Sequence, residues 1–404
     1  MRIPITIIAA ATALALAAPV DAKTIAVTAG DGAQTRLQEA LILAEPGDVV
    51  ELGGGRFVLT DGLSLDVHGV TVRGQGMDAT VLDFSGQKGA GEGLLVTSDE
   101  VTLRDFAVEN TKGDGIKSKG ADNVVYYRVR VSWTGGPKET NGAYGIYPVA
   151  STGVLIDGCK VSGASDAGIY VGQSKAITVR YNFVEQSVAG IEIENSRDAL
   201  VTGNFVTRNT GGILVFDLPG LPVMGGGNVL IAQNLVIAND TPNFAPKGNI
   251  VAGVRRGTGI MVMANERVVI RENQIDGNPT TAVMVVSYPK PFADARYNPM
   301  PRGVLIIENR YGRNGNDPQL DGAGQLLAAF GGTLPPVLWD GLGAAPMALG
   351  SDDKKAWTLN LPSQGAGFDQ ARPAPLGLAS PSSATTTPQT MPGAPTALDA
   401  RARP

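Results

Sequence analysis

A glycine–isoleucine pair recurs through the middle of the chain and constrains the fold more than any other feature. Its six copies are "GDGIKSK", "AYGIYPV", "DAGIYVG", "VAGIEIE", "TGGILVF" and "GTGIMVM". Their isoleucines are Ile116, Ile146, Ile169, Ile191, Ile213 and Ile260, at steps of 30, 23, 22, 22 and 47 residues. A period in this range indicates stacked supersecondary units, each burying its apolar side chains against its neighbours.

Each period also contains two further apolar segments, such as "ITVR" followed by "NFVEQ". The apolar residues in these segments alternate at a period of two rather than 3.6, which predicts short strands and excludes helical repeats. Three strands per repeat describe one coil of a tube. We therefore predict an all-β chain that folds as a right-handed, single-stranded parallel β-helix.

Asparagines support this prediction because they recur at matching places in successive coils. The first row is Asn182, Asn204, Asn234, Asn273 and Asn309, and the second is Asn209, Asn239, Asn278 and Asn314. Such side chains stack at the corners of a coil, where their amides satisfy backbone groups that a sharp turn leaves unpaired. Earlier coils have Phe106 and Cys159 in the first row, so apolar stacking and a buried, inert thiol are expected there.

The two ends of the chain differ from the repeats. Residues 1–22 have the pattern of a secretory signal peptide cleaved near Ala22, so we expect an exported protein, periplasmic or secreted. The β-helix is expected over 23–349, with an amphipathic helix over Gln34–Ala44 that covers its open N-terminal end. A C-terminal extension over 350–404 is rich in Pro, Ala, Ser and Thr, and predicts disorder from about residue 371.

Charge and composition exclude several classes of function. The formal net charge is -5 and no basic tract is present, which argues against nucleic-acid binding. The N-terminal apolar run is too short for a membrane span. The sequence leaves the oligomeric state open.

The Gly-Ile strands place polar side chains on one outer face. If the isoleucines point inward, the next residue points outward, because alternate side chains of a strand face opposite ways. The outward residues are Lys117 and Lys119, Tyr147, Tyr170, and Glu192 and Glu194. They are expected to form one exposed patch roughly 10 to 20 Å across, with Tyr144 and Asp166 at its edge. Farther along, Phe216, Met261 and Met263 are expected to be covered by other segments.

Two interpretations of this patch are open: a solvated sheet face, or a groove that binds sugars. Tyrosine rings offer a surface for sugar rings, lysines match uronate carboxylates, and carboxylates can transfer protons. Three insertions, "SWTGGPKETNGA", "DLPGLPVMGGGN" and "NDTPNFAPKGNIVAGVRRGTG", interrupt the repeat beside this face. Because loops on a rigid scaffold often carry binding residues, they favour the groove.

The chain resembles the pectate-lyase-like parallel β-helix proteins over about Lys23 to Asp340. Within them it is most similar to exported bacterial β-helix repeat proteins, through "NGAYGIYPV", "GASDAGIYVGQS", "AGIEIENS", "TGGILVFDLP" and "TPNFAPKGNI". This resemblance implies the fold and export.

A more distant resemblance is to mannuronan epimerases, which carry a Tyr-Gly-x-Asp-Pro-His strand and an aspartate one coil later. Tyr144 and Pro148 match that strand, and Asp166 matches the later aspartate. Tyr147 replaces the strand aspartate and Val149 replaces the histidine that those enzymes use in proton transfer.

Three functions follow as hypotheses. The first is lyase or epimerase chemistry on an acidic polysaccharide, with catalytic Tyr147, Asp166, Tyr144 and Lys117, and with Lys119, Tyr170, Glu192 and Glu194 binding substrate. In this mechanism the lysines lower the pKa of a tyrosine that acts as the base. No metal is required, although Ca²⁺ at Asp166, Glu192 and Glu194 is an alternative. The second is a glycoside hydrolase with paired carboxylates, and the third is a glycan-binding or envelope-assembly protein without catalysis.

Overall fold

A computed structural model describes residues 22–350, 355–376 and 392–403. The expected signal peptide lies outside the described residues, apart from Ala22. The described residues form a parallel β-helix with three long sheets, as the repeat predicts. None of the helices in the described ranges is both long and apolar enough to cross a membrane.

The first sheet has 12 strands among the described residues, all parallel. They are Thr24–Val27, Val49–Leu52, Thr71–Arg73, Thr102–Arg104, Val124–Tyr127, Thr152–Asp157, Lys175–Arg180, Arg197–Thr202, Gly227–Ala232, Glu266–Arg271, Val304–Ile307 and Met347–Leu349.

The second sheet contains the Gly-Ile strands and also has 12 described strands. They are Leu63–Leu65, Leu94–Val96, Ile116–Lys119, Tyr144–Val149, Ala167–Gly172, Ala189–Glu194, Gly211–Phe216, Thr258–Met263, Thr281–Val286, Val337–Trp339, Ala356–Thr358 and Ala374–Pro375. Only the last of these pairs antiparallel.

The third sheet has 10 described strands. They are Gly55–Val58, Thr80–Asp83, Ala107–Glu109, Arg130–Ser132, Lys160–Ser162, Phe183–Glu185, Phe205–Thr207, Leu235–Ile237, Gln274–Asp276 and Arg310–Tyr311. Each coil thus runs through the second, first and third sheets in turn, before the next coil begins.

The interior of the tube is apolar, and the predicted inward residues fill it. All six isoleucines of the Gly-Ile pairs are fully buried. Cys159 is also fully buried, and burial raises the pKa of its thiol to about 12, as expected of an inert core residue. The register of the second sheet is therefore the predicted one.

The glycine of each Gly-Ile pair is explained by close packing between coils. A Cβ atom on Gly145 would lie 2.5 Å from the carbonyl oxygen of Gly168, and one on Gly190 would lie 2.7 Å from that of Gly212. Each would also meet a valine methyl group of the third sheet at 2.4 Å. Only glycine fits at these contacts, which is why the pair recurs in the sequence.

Both asparagine rows form the predicted ladders. The Asn204 side chain accepts bonds from the backbone N–H of Asn182 at 3.0 Å and from its amide at 2.9 Å. The amide of Asn204 in turn donates to Val179 O at 3.0 Å and to Asn234 Oδ1 at 2.9 Å. The second row repeats the pattern, with Asn209 donating to Asn239 at 3.0 Å. These bonds satisfy the buried corners of the coils.

Helices cover parts of the tube. Helix α1 (Ala33–Leu43) buries Leu37 and Leu41 at the N-terminal end and matches the predicted cap within one residue at each end. Helix α2 is Ala323–Ala329 and helix α3 is Ala397–Ala402, and 3₁₀ turns occupy Ile250–Gly253 and Phe368–Gln370.

The C-terminal part differs from the predicted boundary and disorder. The strand Ala356–Thr358 pairs with Val337–Trp339 and extends the second sheet beyond residue 349. In α3, Leu398 is buried against Val125 and Leu155 on the outside of the first sheet. Composition predicted disorder from about residue 371, and residues 377–391 of that span lie outside the described residues. Helix α3 packs through Leu398 and Ala402, and Arg401 donates to Asn123 O at 2.7 Å.

Long loops are attached at both edges of the second sheet. The segments 133–143 and 238–257 lead into it from the third sheet, whereas 217–226 and 287–303 lead from it to the first sheet. The corner between the first and third sheets stays short wherever the first asparagine row occupies it. The loops therefore gather around the outer face that carries the predicted site.

Candidate functional site

The outer face of the second sheet brings the predicted residues into one row. Lys117 pairs with Tyr147 on the next coil, and Tyr170 pairs with Glu192. Glu192 and Glu194 are followed by Leu214 and Phe216 one coil farther on. The predicted alignment of lysine, tyrosine and glutamate is therefore confirmed.

The expected exposure of this row is wrong for its central members. Tyr170 is 4% exposed and Glu192 is 2% exposed, while Lys117 and Tyr147 are half-buried. Leu218, Val251 and Tyr297 from the long loops pack over this part of the sheet. The loops thus convert an open face into a covered site, which agrees with the predicted cover over Phe216 and Met263.

Three tyrosines form a compact cluster at the more open side of the site. The ring centroids of Tyr144 and Tyr147 are 4.5 Å apart, those of Tyr144 and Tyr170 are 4.6 Å apart, and those of Tyr147 and Tyr170 are 4.8 Å apart. The strand that enters from "NGAYGIYPV" supplies the first two rings, and the next coil supplies the third. Tyr144 and Tyr147 keep part of their surface in solvent.

Lys117 is held by two carboxylates. Its ammonium lies 2.9 Å from Glu92 and 3.4 Å from Asp114, and 4.8 Å from the centre of the Tyr147 ring. Burial alone would lower the pKa of Lys117, but the bond to Glu92 and the charge of Asp114 outweigh it, so the pKa is raised. Lys117 therefore stays charged and already paired, whereas Lys119 lies exposed at the end of its strand.

A cluster of three carboxyl groups lies beneath the loops. Burial raises the pKa of Asp166 to about 7, assisted by the charges of Glu194 and Asp114 and opposed by hydrogen bonds from Tyr144 and Asn249. An aspartate with this pKa is present in both protonation states at neutral pH, so it can accept and release a proton.

Burial favours the protonated form of Glu192 within this cluster. Burial raises its pKa well above the usual range, and the charges of Asp166 and Glu194 add to the effect. Burial also raises the pKa of Glu194, although hydrogen bonds from Tyr170 and Glu192 oppose that rise. The hydroxyl of Tyr170 donates to Oε1 of Glu194 at 2.7 Å. Glu192 is thus the acid and Glu194 the acceptor of the pair.

Two oxygen atoms of the cluster lack a partner. Asp166 Oδ1 and Glu192 Oε2 are both buried and make no hydrogen bond. An unsatisfied buried polar atom costs about 1–3 kcal/mol, and natural folds retain few of them. Both atoms therefore keep an unused capacity to accept a hydrogen bond, although the loops shield them from solvent.

The tyrosines do not have the properties that a tyrosine base requires. Burial raises the pKa of Tyr144 and Tyr170 far above the ordinary value, and nearby carboxylates raise it further. Burial also raises the pKa of Tyr147, even though Lys117 opposes it. The expectation that lysines lower a tyrosine pKa here is wrong, because burial and four nearby carboxyl groups dominate: Asp114, Asp166, Glu192 and Glu194.

The structure adds residues that the sequence analysis did not select. Glu92 pairs with Lys117, and Asn249 reaches Asp166 from the loop 238–257. Asp217, whose pKa burial raises to about 6, accepts a bond from the Gly225 N–H at 2.9 Å. A signal for Glu92 existed, because "GEGL" and "GDGI" place an acid two residues before the equivalent strand position in consecutive coils.

No metal site is evident in the part of the chain that the structure describes, where no group of three or more His, Cys, Asp or Glu side chains is arranged to hold an ion.

Comparison with known proteins identifies the fold. A family model described as right-handed β-helix region matches residues 68–223 and 141–291, which together exceed half of the chain. Similar solved structures include the A-modules of the mannuronan C-5 epimerases AlgE4 and AlgE6 from Azotobacter vinelandii. The AlgE4 module is 14% identical, with a TM-score of 0.53, and the alignment covers 81% of this chain and 94% of the module. The AlgE6 module is 16% identical, with a TM-score of 0.51, and the alignment covers 79% of this chain and 88% of the module.

Another similar structure is DFA-IIIase from Arthrobacter chlorophenolicus A6 in complex with GF2, at 11% identity and a TM-score of 0.50, covering 82% of this chain and 93% of that one. At these identities the likeness concerns the fold. No curated protein matches the sequence.

Proposed function

The chain belongs to the right-handed β-helix family, and we propose that it binds a polysaccharide on the outer face of its second sheet and cleaves it by acid–base chemistry. The observation that carries this proposal is the covered cluster of Asp166, Glu192 and Glu194. Buried carboxyl groups with mutually raised pKa values are typical of catalytic sites, because burial costs stability and tunes proton transfer.

The residues divide into two roles. Tyr144 and Tyr147 present half-buried rings on which sugar rings can stack. Asp166, with a pKa of about 7, exchanges a proton with the glycosidic oxygen or with water. Glu192 and Glu194 keep a second proton next to it. A pair of carboxyl groups, one protonated and one ionised, is what glycoside hydrolysis requires.

Charge in the site favours a neutral glycan over a uronate. Glu92 and Asp114 already compensate Lys117. A polyanion would therefore meet a surface with more acids than free cations, and only Lys119 among the predicted lysines stays exposed. Hydrolysis is therefore favoured over the lyase mechanism. A lyase would need a tyrosine base with a lowered pKa, whereas burial raises the pKa of all three tyrosines.

Chemistry on uronates is the second candidate, and Lys117 supports it by lying over the Tyr147 ring and opposing the rise of its pKa. The name of the mannuronan C-5 epimerases, which share the fold, points to the same class of substrate. Binding without catalysis is the third. Export, predicted from the N-terminal sequence, would bring the protein to polysaccharides of the cell envelope.

The test is incubation with a panel of neutral and uronate polysaccharides. Hydrolysis yields new reducing ends without ultraviolet absorbance, whereas a lyase yields unsaturated, absorbing products and an epimerase changes only the stereochemistry. We expect new reducing ends that Asp166→Asn abolishes. The control is Glu272→Gln, an outer residue bonded to Gln233 and distant in the coil order.

Reducing ends that Asp166→Asn leaves undiminished would contradict the assignment. Retained glycan binding with no turnover in the parent protein would select the binding protein instead.

A further inference from the structure

A mainly apolar cavity of about 510 Å³, partly open to solvent, lies beside the carboxyl cluster on the same sheet. Its floor is formed by outward side chains from three consecutive coils: Phe216, Met261, Met263, Met284 and Val286. Its roof comes from loop residues 248–255 and from the C-terminal residues 361–368. Cavities of this volume hold small molecules in other proteins.

The polar groups in the wall of the cavity already have partners. Asp340 accepts bonds from the backbone N–H and the hydroxyl of Ser287, both at 2.7 Å, and from the Leu342 N–H at 3.1 Å. The hydroxyl of Thr258 donates to Arg255 O at 3.0 Å. Few groups remain for sugar hydroxyls, so an occupant of the cavity makes mainly apolar contacts.

The cavity adjoins the carboxyl cluster on the same sheet. Phe216 lines the cavity and pairs with Glu194 on the adjacent strand. Asn249 also lines the cavity, and its side chain bonds Asp166. One ligand can therefore place an apolar group in the cavity and a polar group over the carboxyls and tyrosines.

We propose that the cavity binds an aliphatic chain attached to the saccharide, so that the ligand is a glycolipid or an alkylated glycan. Three methionines suit a flexible chain, since their unbranched, polarisable side chains adapt to the shape of the group they contact. At the margin, Lys290 is exposed and Arg255 pairs only with the exposed Asp321, at 3.3 Å. They fit an anionic group between chain and sugar. This inference rests on the proposed function for the sugar end.

The test measures the binding of alkyl glycosides with chains from four to twelve carbons, below their micelle concentrations, by titration calorimetry. A buried methylene contributes about 0.8 kcal/mol, so Kd falls by up to about fourfold for each added carbon until the cavity is full. Ala366→Trp fills the cavity from its half-buried C-terminal wall, and Val286→Phe fills it from the floor. Both are expected to abolish the chain-length dependence.

The matched control is Asp166→Asn, which changes the carboxyl cluster and leaves the cavity walls intact. The chain-length dependence is expected to persist in it. If it persists while no polysaccharide is cleaved, the cavity assignment stands and the proposed function fails. A Kd that does not change with chain length in the parent protein overturns the cavity assignment, and so does a dependence that both filled variants retain.

Occupation by a second copy of the chain would also overturn it. That outcome would appear in sedimentation as a dimer that Ala366→Trp disrupts, without any dependence on alkyl chain length.

Discussion

Replacing Asp166 by asparagine is expected to stabilise the fold while it removes the proposed activity. Asp166 is 6% exposed, and its carboxylate faces other acids and no cation at bonding distance. The amide is isosteric and neutral at every pH, and it can still accept a bond from Tyr144. The substitution therefore removes an unfavourable ionisation without opening a cavity.

The magnitude follows from the pKa of Asp166, which burial raises from 3.8 to about 7. Below pH 4 the carboxyl is protonated in both the folded and the unfolded states, and the parent protein retains its full stability. As the pH rises to about 7, the unfolded state ionises first and the parent loses stability at about 1.4 kcal/mol per pH unit. The cumulative loss is on the order of 4 kcal/mol at pH 8, and the asparagine variant avoids it.

The assay is denaturant unfolding of the parent and the variant at about pH 4.5 and about pH 8, which lie on either side of the Asp166 pKa of about 7. The contrast is Asp157→Asn, in a residue that is equally buried but bonded to Arg180 at 2.7 Å and to Arg403 at 3.2 Å. That change leaves two arginines without their partner, so it is expected to destabilise the protein. Replacing aspartate by asparagine is thus expected to stabilise the protein at Asp166 and to destabilise it at Asp157.

A destabilised Asp166→Asn protein at pH 8 would refute this reasoning, as would a stability difference that is equal at the two pH values. Either result would mean that Asp166 is ionised and well compensated in the folded protein.

Four further predictions concern the site and the scaffold. The pH dependence of kcat/KM is expected to show a limb near the Asp166 pKa of about 7, and the Glu272→Gln control is expected to keep that limb in rate measurements. Asn204→Ala orphans a buried N–H and is expected to cost about 1–3 kcal/mol in denaturant unfolding, whereas Asn316→Ala, at an exposed position, is expected to cost little. Gly190→Ala places a methyl group against the Gly212 carbonyl and is expected to lower Tm, and an unchanged Tm would contradict the packing argument. Leu398→Ala is expected to free α3 from Val125 and to speed proteolysis of that helix, with no change in the unfolding of the tube.

The sequence predicted the scaffold because every coil repeats the same local rules. Alternation in the Gly-Ile strands identified the buried faces, as Ile146 and Ile169 illustrate. Spacing alone identified the ladder from Asn182 to Asn309, since the coils place equivalent residues one above the other.

The sequence predicted where the site residues lie on the sheet, but not that loops bury them. Tyr170 and Glu192 stand where the alternation places them, yet their burial depends on loops without any repeat. Asn249 reaches Asp166 only because the loop 238–257 crosses the sheet, and no local pattern encodes that path. Burial beneath these loops raises the pKa of each tyrosine. The spacing of residues in the sequence therefore could not predict the direction of the shift.

The C-terminal boundary was missed for a related reason. The strand Ala356–Thr358 continues the second sheet without a Gly-Ile pair, because it no longer packs between two regular coils. Helix α3 packs on Val125 and Leu155, and Asp399 pairs with Arg180; composition reveals neither contact.

The long loops join the tube only at the two edges of the second sheet, where no ladder of asparagine amides from the first row constrains the chain. Lengthening or exchanging such a loop leaves the stacking of the coils untouched, since loop closure costs little more for a longer segment. Ligand preference in a protein built this way can therefore diverge by loop replacement alone. Grafting residues 240–257, which begin after the ladder residue Asn239, onto another tube of the same pitch would transfer the lid together with Asn249.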